Sequence, residues 1–187
     1  MNELLWFVSR AAGLVSVVLL SATVVLGLLT AGRAAPIAAP SSVRAALHRS
    51  ISLVMVVGVA VHVVTAIAET YVDIGWLSLL IPFTSGYAPV WVGLGTIALD
   101  LLLIIVATSL LRDRIPTRTW RLVHWFAYAM WPIAVLHGVT TSTSDTTAVW
   151  VTSAVCAVGV VVAAVWRAGR QTVDARRRTT VDAIGWR

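Results

Sequence analysis

The stretch TWRLVHWFAYAMWPIAVLHGV, residues Thr119–Val139, decides the fold, because it can cross a membrane and contains two histidines. A helix needs about 20 mainly apolar residues to cross a hydrocarbon core of about 30 Å. Four other stretches meet this condition, namely Leu4–Thr30, Ala45–Ile67, Val90–Leu111 and Thr147–Trp166. The sequence therefore predicts an all-α integral membrane protein, a bundle of five transmembrane helices.

The composition of the chain supports this class. Of its 187 residues, 59% are hydrophobic and 12% are charged, whereas soluble domains have about 45–50% apolar and about 25% charged residues. The net charge of +6 comes from 14 Arg without any Lys. These Arg cluster between apolar stretches, which is typical of membrane topology and argues against nucleic-acid binding. The single Cys156 excludes an intrachain disulfide and a CxxC motif.

The distribution of Arg predicts the orientation in the membrane. Thirteen of the 14 Arg lie on one side of the predicted bundle: Arg33, Arg44, Arg49, Arg112, Arg114, Arg118, Arg121 and the six from Arg167 to Arg187. The opposite loops carry Glu69, Asp73 and Asp145 and no basic residue. Because cytoplasmic loops are rich in Arg and Lys, we expect a plasma-membrane protein with its N-terminus outside and its C-terminus in the cytoplasm. A cleaved signal peptide is the alternative for the first stretch, but cleavage would place three Arg outside.

Three segments are predicted to lie outside the hydrocarbon core. Ala31–Val43 is expected to be a loop, with Ser42 as the cap of the next helix. Glu69–Pro89 is apolar but interrupted by proline and glycine, so we expect it to lie in the interface and cover one mouth of the bundle. Residues 169–187 are predicted to form a basic cytoplasmic tail after a transmembrane domain of residues 1–168. This tail would contact anionic membrane lipid, or alternatively a reductase.

The four histidines of the chain, His48, His62, His124 and His137, all fall in the second and fourth stretches. A polar ring in hydrocarbon is costly, so such residues usually face the bundle interior and have a partner. The second and fourth helices run in the same direction across the membrane. His48 is therefore expected at the depth of His124, and His62 at the depth of His137. The spacings of 14 and 13 residues correspond to roughly 20 Å between the two levels.

Two imidazoles at each level suit a haem iron with one histidine on each face, and suit a closed zinc site poorly. A lone histidine is more often a hydrogen-bonded core residue, but two pairs at matching depths favour two b-type haems. The angle between the two histidines around the helix axis differs between the second and the fourth helix. A spacing of 14 leaves His48 and His62 about 40° apart, whereas a spacing of 13 leaves His124 and His137 about 140° apart, with Pro132 as an expected kink between them.

The chain also carries family-like stretches: LHR (Leu47–Arg49), IPFTSGY (Ile81–Tyr87), TSLLR (Thr108–Arg112) and WRLVHWFAYAMWPIAVLHG (Trp120–Gly138). On these stretches it resembles the ferric-reductase-like transmembrane domain family, which includes NADPH oxidases, ferric reductases and the haem subunit of bacterial methionine sulfoxide reductase systems. The resemblance covers about residues 45–145 and implies haem b at the four histidines. The chain differs from the oxidases in lacking their first peripheral helix and a cytoplasmic FAD and NADPH module. We therefore expect no flavin site in this chain.

Further candidate residues surround the histidines. Arg10 could pair with a propionate of the outer haem or extend to the interface, and Arg49 and Arg121 could pair with inner propionates or act only as topology signals. Trp131, beside Met130 and between the two histidine levels, could bridge the haems or only pack. Asp100, a deep intramembrane acid, could relay protons, contact a quinone or form a hydrogen bond to a neighbouring helix.

The sequence thus predicts electron transfer across the membrane through two haem b groups. Electrons would come from a cytoplasmic flavoprotein reductase or the quinone pool and pass to an extracytoplasmic acceptor. The chain would be an oxidoreductase component that needs a separate dehydrogenase. Two alternatives stay open: a quinol-linked haem anchor of a dedicated periplasmic reductase, and a non-redox membrane metal-ion carrier.

Overall fold

A computed structural model describes residues 2–30, 40–70, 72–142 and 146–184. Its long helices are α1 (Asn2–Thr30), α2 (Ser41–Ala68), α3 (Pro89–Leu110), α4 (Thr117–Thr140) and α5 (Thr146–Ile184). All five are long and apolar enough to cross a membrane, and no strand occurs among the described residues. The predicted all-α, five-helix membrane bundle is confirmed. The predicted loop residues 31–39, with Arg33, and also Asp145 and Arg187 lie outside the described residues.

Helix α1 is central to the packing of the helices. Helix α1 packs along α2 and α5 and also contacts α4, while α3 packs along α4. The buried core combines residues of all five helices, namely Leu20, Val24, Leu28, Met55, Ala98, Leu102, Ile105, Met130 and Ala163. Helices α2 and α4 are not among the pairs that pack closely. The space between α2 and α4 is therefore wider than that between the closely packed pairs, and we call it the gap between α2 and α4.

Close approach between α1 and α2 depends on a small residue. A Cβ atom added at Gly58 would lie 2.7 Å from the Ser16 Oγ, which is too close for an unshifted contact. In membranes, helix association rests on such backbone proximity rather than on the hydrophobic effect. Gly58 thus lets the two helices approach closely at Ser16.

Polar contacts attach α4 and α5 to α1. The Trp131 indole Nε1 donates a hydrogen bond of 2.8 Å to Ser21 Oγ. A guanidinium nitrogen of Arg167 donates one of 3.2 Å to the Leu28 carbonyl. Measured interhelical hydrogen bonds of this kind contribute on the order of 0.6 kcal/mol in a membrane. These contacts fix helix positions more than they add stability.

The segment between α2 and α3 lies across one end of the bundle. It contains a short 3-10 helix, Trp76–Leu79, and Trp76 is 71% exposed. Thr96 of α3 donates a hydrogen bond of 2.6 Å to the Ser78 carbonyl, which ties the segment to the bundle. Val72, Ile74, Ser78 and Leu79 of this segment line a cavity of the bundle, and its place in the membrane interface stays a prediction.

Two helix ends differ from the sequence prediction. Helix α2 begins at Ser41 after Pro40, and no side chain caps it. The prediction of Ser42 as the cap was wrong, because the extended backbone of Pro40 ends the loop and Ser42 already lies in the first turn.

Helix α5 does not end near Trp166 but continues to Ile184. The reason is that no proline follows Pro132, and Arg, Ala and Gln are good helix formers.

Candidate cofactor site

The four histidines meet in two pairs across the gap between α2 and α4. The ring centres of His48 and His124 are 6.2 Å apart, with 58° between the ring planes. Those of His62 and His137 are 6.3 Å apart, with 72° between the planes. We call the first pair the Arg-rich level, since it lies at the end of the bundle with Arg44, and the second pair the Arg-poor level.

The spacing of the rings is what two ligands of one metal atom require. Metal bonds to imidazole nitrogen of about 2.0–2.1 Å place two facing nitrogens about 4 Å apart, and hence the ring centres about 6 Å apart. Among the described residues, no group of three His, Cys, Asp or Glu side chains could hold a metal ion. Each level brings two imidazoles together at this distance, a donor set that would fit a haem iron bound by two histidines.

The rings of the Arg-poor level are oriented by backbone carbonyls. His62 Nδ1 donates a hydrogen bond of 2.8 Å to the Ser9 carbonyl of α1. His137 Nδ1 donates one of 2.8 Å to the Trp91 carbonyl of α3. Such bonds from the distal nitrogen are typical of metal-bound histidine, since they fix the tautomer and the ring plane. They leave the Nε2 lone pair of each ring available to a metal.

Glycines on the neighbouring helices make room for the same two rings. A Cβ atom added at Gly13 of α1 would lie 2.9 Å from His62 Nδ1, and one added at Gly95 of α3 would lie 2.6 Å from His137 Cε1. Both rings therefore lie against bare backbone. The sequence interpretation missed these two positions, because a glycine beside a histidine on another helix is visible only once the helices are paired at a known depth.

A cavity of about 830 Å³ contains the Arg-poor level. Its volume lies within the range of about 300–1,000 Å³ usual for small-molecule and cofactor sites. Both histidines line it, as do Met55 and Met130 from the middle of the bundle. The cavity therefore extends from the Arg-poor level towards the space between the two levels.

Arg10 lies in the wall of this cavity, where the sequence predicted a propionate partner. Its guanidinium donates a hydrogen bond of 3.0 Å to Ser142 Oγ and lies 4.6 Å from the ring centre of Trp6. These contacts hold a cation close to the Arg-poor level, within a mainly apolar surrounding.

The Arg-rich level is held differently. The Trp120 ring stacks on His124 with 5.0 Å between ring centres and 25° between planes. The guanidinium carbon of Arg112 lies 4.6 Å from the Trp120 ring centre. The Nδ1 atom of His124 and the Nε1 atom of Trp120 are buried without a hydrogen-bond partner.

Other predicted site residues lie around these levels. Arg49 and Arg121 have exposed side chains at the Arg-rich end, and their predicted contact with propionates stays a prediction. Trp131 turns its indole N–H to Ser21 of α1, whereas Met130 lines the cavity and is 3% exposed. Asp100 is partly exposed in the middle of α3.

Both histidines of α4 lie beside a histidine of α2, despite their spacing of 13 residues. Pro132 lies inside the continuous helix, between His124 and His137. An internal proline removes one backbone hydrogen bond and bends a helix. Although an ideal helix would separate the two rings by about 140°, both meet imidazoles of α2.

The fold and these paired imidazoles define a multi-pass membrane protein with two candidate metal levels. The profile described as ferric reductase like transmembrane component matches residues 12–135, more than half of the chain. The protein belongs to this ferric-reductase-like family, and the family assigns it to transmembrane electron transfer. The match includes His48, His62 and His124 and ends two residues before His137. No curated protein and no solved structure matches the chain.

Proposed function

We propose that the protein moves electrons across the plasma membrane through two haem b groups, one between His48 and His124 and the other between His62 and His137. The observation that carries this proposal is the spacing of the two pairs, with ring centres 6.2 and 6.3 Å apart. Membership in the ferric-reductase-like family supports it independently.

The residues of the chain have distinct parts in this proposal. Nε2 of His62 and His137 would ligate iron, because Nδ1 of each ring is bonded to a carbonyl. Haem with histidine on both faces has no open coordination position and supplies one-electron transfer when bound. The apolar walls of the cavity would exclude water and keep the group in a low dielectric.

Cations near each level would balance the haem carboxylates. Arg10 is suited to a propionate at the Arg-poor level, because it lines the cavity that contains His62. Arg49 and Arg121 are the corresponding candidates at the Arg-rich end. A carboxylate in a mainly apolar cavity needs such a partner, since an unpaired buried charge is costly.

The partners follow from the proposed orientation. With the Arg-rich end in the cytoplasm and the N-terminus outside, electrons would come from a cytoplasmic flavoprotein reductase or the quinone pool and pass to an extracytoplasmic acceptor. The protein would then be the membrane component of an oxidoreductase. The quinol-linked anchor of a periplasmic reductase uses the same two haems and differs only in the partners.

The metal-ion carrier has less support than the haem protein. Zinc sites usually have at least three protein ligands, whereas each level brings together two imidazoles. A carrier that binds metal ions transiently would also not need two pairs of histidines with nearly the same distance between ring centres.

Proteoliposomes test the proposed function. Haem-loaded protein should reduce ferricyanide trapped inside vesicles when dithionite is added outside, much faster than empty vesicles do. The variant His62→Ala should lose this transfer because it lacks the Arg-poor haem. If loaded wild-type protein leaves the trapped ferricyanide oxidised at the rate of empty vesicles, the proposal is wrong.

A further inference from the structure

The two levels differ in how the imidazole planes are fixed. At the Arg-poor level, each Nδ1 is bonded to a backbone carbonyl 2.8 Å away. At the Arg-rich level, Nδ1 of His124 is buried and has no hydrogen-bond partner. A ring without such a bond can rotate about its side-chain torsions, so another contact must hold it if it is to face a metal.

For His124 that contact is an aromatic stack. Trp120 lies one helical turn earlier on α4, at the i, i+4 spacing that brings side chains together. Its ring is 5.0 Å from the His124 ring, and the two planes are only 25° apart. Stacking of this kind is attractive beyond the burial of apolar area. The stack therefore restricts the plane of the imidazole.

Arg112 in turn restricts the tryptophan. It follows α3 and lies with its guanidinium 4.6 Å from the centre of the Trp120 ring. A cation over an indole face is attracted electrostatically by the ring. The interaction links the loop after α3 to the first turn of α4, and so to the histidine plane.

We propose that Trp120, held by Arg112, is the positioning residue that sets the ring plane of His124 at the Arg-rich level. This inference rests on the proposed haem ligation. It assigns His124 an aromatic clamp in place of the carbonyl hydrogen bonds that hold the two rings of the Arg-poor level.

The test uses single-haem variants, so that each level is observed alone. The variant His62→Ala should keep only the Arg-rich haem, and His48→Ala only the Arg-poor haem. Into each background we would introduce Trp120→Leu, which removes the stack, and Trp120→Phe, which keeps an aromatic ring. Trp125→Leu is the matched control, since Trp125 lies on the same helix, is 67% exposed and contacts Tyr128 rather than a histidine.

Two readouts report on the ligand plane rather than on activity. The low-spin ferric EPR signal depends on the angle between the imidazole planes, which is 58° between His48 and His124. Haem affinity follows the orientation of the ligands, and loss of an outer-sphere partner usually lowers metal affinity 10–100-fold. In the His62→Ala background we expect Trp120→Leu to change the EPR signal and to weaken haem binding about tenfold.

In that background, Trp120→Phe should stay close to the parent, and Trp125→Leu should not change either readout. In the His48→Ala background, Trp120→Leu should have no effect. The inference is overturned if Trp120→Leu matches its parent in the His62→Ala background, or if it disturbs both levels equally. If Trp120→Leu does not accumulate, Arg112→Gln replaces it, and an unchanged EPR signal in that variant overturns the inference.

These outcomes differ from a failure of the proposed function. If wild-type protein contains no haem, ligation itself is wrong. If it contains two haems and Trp120→Leu changes neither level, only the role of Trp120 is wrong.

Discussion

His137 lies directly against Gly95 of the neighbouring helix, so that a Cβ atom on Gly95 would come within 2.6 Å of the imidazole ring. The same ring donates its Nδ1 hydrogen to the Trp91 carbonyl, one helical turn from Gly95. Helix α3 thus supplies both the space and the hydrogen bond that orient a histidine of α4.

This relationship predicts that Gly95→Ala displaces His137 and removes the Arg-poor haem. Overpacking of this kind costs about 1–3 kcal/mol, and the ring can avoid the methyl group only by leaving its present position beside α3. We expect haem content to fall from two groups to about one per chain in the pyridine haemochrome assay. Gly159→Ala is the matched control, since nothing lies within 4 Å of its added Cβ. If Gly95→Ala keeps two haem groups per chain, His137 accommodates the added methyl group and the prediction is wrong.

Replacement of a ligand should act on one level only. We expect His62→Ala to remove the Arg-poor haem and leave one redox component in a potentiometric titration, because His48 and His124 are unaffected. Val64→Ala on the same helix is the control, because Val64 is 60% exposed and lies outside the cavity lining. An unchanged two-component titration in His62→Ala would contradict the assignment of His62.

The bond between Trp131 and Ser21 should have a structural role. Trp131→Phe removes the 2.8 Å hydrogen bond and should lower the free energy of unfolding by on the order of 0.6 kcal/mol, with haem content unchanged. In a double-mutant cycle, Ser21→Ala should add little further loss. Fully additive losses would mean that the two side chains do not interact, and slower electron transfer between the levels would instead favour the bridging role.

The orientation can be tested by labelling. In a Cys156→Ala background, Trp76→Cys places a thiol on the exposed segment at the Arg-poor end, and Arg118→Cys places one at the Arg-rich end. With the N-terminus outside, a membrane-impermeant maleimide should label the first variant in intact cells and the second only after lysis. The reverse pattern would invert the proposed topology and the direction assigned to the two partners.

The sequence predicted much of this arrangement because a membrane limits the possibilities. Alternating spans fix the direction of each helix, so the depths of His48, His62, His124 and His137 follow from their positions in the chain. Five long apolar stretches with Arg between them could hardly form anything other than a helical bundle.

The remaining features depend on lateral packing, which sequence periodicity does not reveal. Gly13 and Gly95 touch histidines on other helices, and the i, i+4 spacing of Trp120 and His124 on α4 cannot indicate whether their rings stack. The phase of α4 depends on the local effect of Pro132. The end of α5 was also missed, since loss of hydrophobicity after Trp166 ends a membrane span but not a helix.

The most direct measurement of the central claim is the haem-to-protein ratio of the purified full-length chain, combined with a potentiometric titration of its visible spectrum. The account predicts two b-type haems per chain and two one-electron components. Colourless protein, or protein that binds zinc and no haem, would contradict it.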